Sequence, residues 1–96
     1  MVDSEKPTTV TGHYAFVPNP CTTVPCLPGM AYAIESNGQY FFLTRDGRWL
    51  DQAPTWKGWT PSVGDVVSAM GDVGQQTDVR GDPFFTLEVR SLAPAD

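Results

Sequence analysis

Long apolar runs are missing from this sequence: nowhere do apolar residues approach the roughly 18–20 in succession that a membrane helix requires. Residues 1–7 are polar and charged, without the basic start and greasy middle of a signal peptide, so neither a membrane span nor a targeting segment is expected. Unbroken sequence is scarce as well. With 9 Gly and 9 Pro in 96 residues, the longest stretch free of both is the ten residues from Phe84 to Ala93. That is shorter than a mean helix of about 11–12 residues, and proline inside a helix removes a hydrogen bond and clashes with the preceding turn. Long helices are excluded.

Positive charge is the minority sign, 6 Lys+Arg against 11 Asp+Glu for a net of −5. That is the wrong balance for a protein whose affinity rests on neutralising phosphates. Histidine occurs once and cysteine twice, too few for a four-ligand structural zinc site. No serine stands in a nucleophile elbow and no Gly-rich phosphate loop opens a helix, while Asp65, Asp72, Asp78 and Asp82 are scattered turn acids rather than a pair. His13, on the first strand, has no acid expected beside it. The expectation is therefore a non-enzymatic protein with no metal and no cofactor.

What the sequence does contain is a series of short β-branched and aromatic runs between turn residues, the pattern of an all-β meander, sandwich or barrel. Five strands are expected: Thr8–Val17, Met30–Ser36, Gln39–Arg45, Asp65–Val73 and Phe84–Leu92. They make one domain over residues 8–92, with tails at 1–7 and 93–96. At this length folding buries roughly 60–68% of the unfolded chain's surface, enough for one thin core.

Asn37-Gly38 is the best local signal, because a two-residue type I′ turn needs positive φ at both central positions. It sets Ser36 opposite Gln39, Glu35 opposite Tyr40, Ile34 opposite Phe41 and Ala33 opposite Phe42. One face of that hairpin carries Tyr32, Ile34, Phe41 and Leu43 and is the natural core side. The other carries Ala31, Ala33 and Glu35 against Thr44, Phe42 and Tyr40, two rings beside two small residues. Val10, Tyr14 and Phe16 are expected inward on the first strand, and Phe85, Leu87 and Val89 on the last, with Thr86, Glu88 and Arg90 in water. Gly71 and Gly74 mark a bulge or bend, as closing a small barrel requires.

The order of a Gly-containing first strand, a tight hairpin, an intervening segment, then Gly64-Asp65-Val66-Val67 and Phe84-Phe85-Thr86-Leu87-Glu88-Val89 resembles the OB-fold, the five-stranded Greek-key barrel. An SH3-like barrel is the alternative. Many OB-folds insert a helix between strands three and four; here Trp49–Ser62 stands instead, with Pro54, Gly58 and Pro61 breaking any helix longer than a turn. The resemblance implies ligand binding on the outer face of strands two and three and the flanking loops. Tyr40 and Phe42 are then the stacking platform, with Arg45 and Arg48 as donors at the strand end. Trp56 and Trp59 form an aromatic clamp or, the stronger reading, plug the barrel end. Arg80, in Arg80-Gly81-Asp82, adds polar contacts beside that face; the tripeptide by itself is a weak adhesion signal.

Cys21 and Cys26 lie in the proline-rich loop between the first two strands, with four residues between them, and are expected to form a disulfide. This points to a secreted or periplasmic location. The expected partners are a small ligand, an oligosaccharide or a peptide or protein. A single-stranded nucleic acid is the alternative, and a third reading makes the aromatic face an oligomer interface. The chain is expected to be a monomer or a weak homo-oligomer.

Overall fold

In a computed structural model of the chain, residues 7–22, 24–26, 29–50, 52 and 54–95 are described. The tail expected over residues 1–7 lies, apart from Pro7, outside them. Among the described residues there is no helix, and none therefore long and apolar enough to cross a membrane. The elements are β1 (Thr8–Pro18), β2 (Met30–Ser36), β3 (Gln39–Arg45), β4 (Arg48–Trp49), β5 (Val66–Thr77) and β6 (Pro83–Pro94).

Five of these strands hydrogen-bond in a ring, β1 to β2 to β3 to β6 to β5 and back to β1, and β4 adds to β3. All pairings are antiparallel except β3 with β6. The result is a barrel-like closed sheet, in agreement with the all-β reading. The expected hairpin register is the one found, with Ala33 opposite Phe42 and Glu35 opposite Tyr40. Asn37 (φ 54°) and Gly38 (φ 80°) adopt the left-handed conformation that their turn demands.

Closure depends on two glycines that let strands approach or bend. A Cβ on Gly12, where β1 leaves β5 and turns to pair with β2, would lie 2.1 Å from the Glu35 carbonyl oxygen. One on Gly71, at the register shift between β5 and β6, would lie 1.9 Å from that of Glu88. Gly71 is thus the bulge. Gly74, expected to share that role, instead continues the ladder opposite Thr86, so β5 runs on to Thr77, four residues past its expected end. β6 likewise extends to Pro94 rather than stopping at Leu92.

The barrel interior is Val10, Tyr14, Ile34, Leu43, Val67, Ala69, Leu87, Val89 and Leu92, with Tyr32, Phe41, Leu50, Trp56 and Trp59 packed against it. Each fully buried aliphatic side chain contributes about 1.5–3 kcal/mol relative to exposure. Phe16 departs from the expected inward position: towards the end of β1 its ring lies 4.6 Å from that of Tyr32 yet stays 40% exposed. Burial, with the neighbouring Tyr32, pushes the Tyr14 phenol well above its ordinary pKa. Thr86, expected in water, is buried between its ladder neighbours Phe42 and Gly74.

Glu88 ties the β3–β4 turn to β6. Its carboxylate accepts hydrogen bonds from Thr44 Oγ1 (2.8 Å), Gly47 N (3.1 Å) and Asp46 N. Burial alone would raise its pKa, and the charge of Asp72 adds to that, but these three donors outweigh both and hold it below the ordinary 4.5. A depressed carboxyl pKa stabilises the fold above the ordinary value, and the gain is lost as pH falls through the folded value. Glu88→Gln is therefore expected to shrink the loss of stability between pH 6 and pH 2.5, measured as the shift of the urea midpoint, relative to wild type.

Candidate functional site

The second face of the β2–β3 hairpin is not left open. Ala31, Ala33, Phe42 and Phe84 form a buried cluster of their own outside the barrel, with Val17 and Trp49 packed on it. Phe42 is only 8% exposed, edge-on to Trp49 (5.7 Å) and to Phe84 (6.0 Å). This corrects the expectation of two open rings on that face: the Phe42 ring is buried beneath it.

The cause is a second tight reversal. Asp46 (φ 55°) and Gly47 (φ 75°) repeat the Asn37-Gly38 geometry, so β4 folds back on β3 with Trp49 opposite Thr44 and on the face of Phe42. Ala31 and Ala33 leave room for the indole. The signal was present in the sequence, since Asp-Gly is as good a type I′ pair as Asn-Gly, whereas the arrival of Phe84 depends on the parallel pairing of β6 with β3. Tyr40, 39% exposed, remains as the open ring, its centroid 6.3 Å from that of Phe42.

Arg45, Arg48, Trp56 and Trp59 gather at a different place. Strand alternation aims Arg45 to the side opposite Phe42, and its guanidinium lies 4.5 Å from the Trp56 ring centroid, a cation–π contact. Trp56 and Trp59 are bridged by reciprocal backbone hydrogen bonds of 2.8 and 2.9 Å around Lys57-Gly58, a third positive-φ pair. Both indoles are half-buried against the barrel core. The Trp56 Nε1 donor is buried without a hydrogen-bond partner among the described residues. Arg48, opposite Arg45 in the ladder, is exposed, as is Lys57, so this end carries the local positive charge.

Arg80 stands in the turn between β5 and β6. Asp78 Oδ1 accepts from the Arg80 and Asp82 amides at 2.9 and 3.0 Å, which shapes the turn, and the Arg80 guanidinium lies 3.9 Å from the Asp82 carboxylate, both exposed. The neighbouring loop is the one closed by the Cys21–Cys26 disulfide, whose Cα atoms are 5.3 Å apart. Val79 N donates to Cys21 O at 2.8 Å, joining the two loops into one rim. The disulfide is compatible with an oxidising compartment.

His13 does have an acid at its side, contrary to expectation: Glu35 faces it across the β1–β2 ladder with Nδ1 and Oε1 3.7 Å apart. The imidazole is largely exposed, and the other Glu35 oxygen accepts from Gly38 N at 2.7 Å, so the carboxylate is already engaged in holding the turn. Among the described residues no group of three His, Cys, Asp or Glu is placed to hold a metal ion. Compared with known proteins, the chain matches no family model, no curated protein and no solved structure.

Proposed function

We propose that this chain is a non-enzymatic binding module, an OB-like barrel of a secreted or periplasmic protein that takes its ligand on the outer face of β2 and β3. In this reading the Trp49–Ser62 segment stands where many OB-folds carry a helix. The observation that carries the reading is Tyr40, a half-open ring seated on a buried Phe42 that Trp49 and Phe84 hold edge-on. A ring supported in this way loses little side-chain freedom on binding, which favours stacking against a flat apolar surface. An oligosaccharide or an aromatic side chain of a peptide presents such a surface. Arg45, Arg48, Trp56 and Trp59 form a second polar and aromatic contact zone at the barrel end, and Arg80 a third on the loop rim.

Screening the wild-type protein against a glycan array and a library of aromatic peptides, followed by titration of the best binder, tests this. Stacking is worth about 1–3 kcal/mol per ring, so Tyr40→Ala is expected to weaken that binder by about fivefold or more without unfolding the protein. Unchanged affinity in Tyr40→Ala refutes the assignment. Binding only to single-stranded oligonucleotides, with affinity falling steeply as salt is added, refutes the ligand class in favour of nucleic acid.

A further inference from the structure

β5 is longer than the strand that covers it. β1 pairs with β5 only from Val66 to Gly71, while β6 pairs with it as far as Thr77. Among the described residues no strand hydrogen-bonds to the other edge of Asp72–Thr77. Exposed strand edges are ordinarily blunted by lysine, proline, inward charges or a bulge. Here the bulge lies earlier, at Met70/Gly71, and Asp72-Val73-Gly74-Gln75-Gln76-Thr77 contains no proline and no cation. Its one charge is already paired: Arg90 Nη2 holds both Asp72 carboxylate oxygens, at 3.0 and 3.3 Å. Val73, 40% exposed, and the exposed amides of Gln75 and Gln76 complete the strip.

From this edge we infer a binding surface for a second copy of the chain, the two β5 strands pairing antiparallel about a two-fold axis at Gly74. A symmetric antiparallel pair requires one residue to oppose itself. Centring on Gly74 sets Val73 against Gln75 and Asp72 against Gln76, so no like charges face each other. Centring one residue later would oppose Asp72 to Asp78, which like-charge repulsion disfavours. The paired segment, Asp72–Gln76, is short, and the contact belongs with weak, concentration-dependent assemblies. It is separate from the Tyr40 surface and does not depend on it.

Sedimentation equilibrium of the full chain is expected to show the average mass rising from 10.5 kDa toward twice that value as concentration increases. Amide exchange over 72–77 should slow in parallel. Gln75→Lys and Gln75→Glu each set like charges on one face about 7–8 Å apart across the axis, and each alone is expected to remain monomeric. An equimolar mixture of the two should recover the dimer. A wild-type protein that stays at 10.5 kDa throughout overturns the inference. In that case, concentration-independent protection of 72–77 assigns the edge to the chain's own residues, and rapid exchange assigns it to solvent. A dimer that both Gln75 variants retain also overturns it, and places the contact elsewhere.

Discussion

Gly71→Ala is expected to cost about 3 kcal/mol or more and to lower the melting temperature of this 96-residue chain by at least about 12 °C, read by far-UV circular dichroism. The added Cβ has nowhere to go. It would sit 1.9 Å from the Glu88 carbonyl oxygen and 3.2 Å from Val89 Cα, and backbone atoms in a ladder cannot rotate aside as a side chain does. The strand pair must separate at its bulge, which is where the ring changes register. Gly12→Ala should behave alike, since its Cβ meets the Glu35 carbonyl at 2.1 Å. Gly74→Ala is the control: its nearest neighbour is the Thr86 hydroxyl at 2.9 Å, which can reorient, so the melting temperature should fall by only a fraction of that amount. Equal melting temperatures for Gly71→Ala and wild type would mean that the barrel does not close as described.

Phe42→Ala is expected to be nearly as damaging, at about 3–5 kcal/mol, because it empties the centre of the outer cluster and strips Trp49 and Phe84 of their shared partner. Tyr40→Ala, two residues away on the same face, should cost about 1 kcal/mol or less in stability. Denaturant melts of the two variants separate the buried base from the open ring. A Phe42→Ala protein as stable as wild type would return Phe42 to the surface and reinstate a two-ring platform.

The contrast between these two residues marks how far the sequence can be read. Period-two alternation and the Asn37-Gly38 turn were sufficient for the all-β class, the hairpin register and the inward row of Ile34 and Leu43, because each follows from local geometry. Local rules do not reveal what lies across a face. Phe42 looked exposed because its strand alternates, and it is buried because Trp49 and Phe84 arrive from other parts of the chain. Phe16 looked buried for the same reason and is half-open, outside the interior cluster. The grouping of Arg45 and Arg48 with Tyr40 failed by parity: a side chain one position along a strand belongs to the other side of the sheet.

The sequence by itself determined the five long strands, the Asn37-Gly38 reversal and the disulfide ring, since glycine-containing turns and β-branched runs restrict the backbone within a few residues of themselves; the short β4 behind Asp46-Gly47 came only with the structure. Tertiary structure alone decided what covers the second apolar face, where His13 meets a carboxylate and which length of β5 has no strand beside it among the described residues. Each of these depends on chain segments distant in sequence, such as β3 and β6 pairing in parallel, and no local preference encodes that meeting.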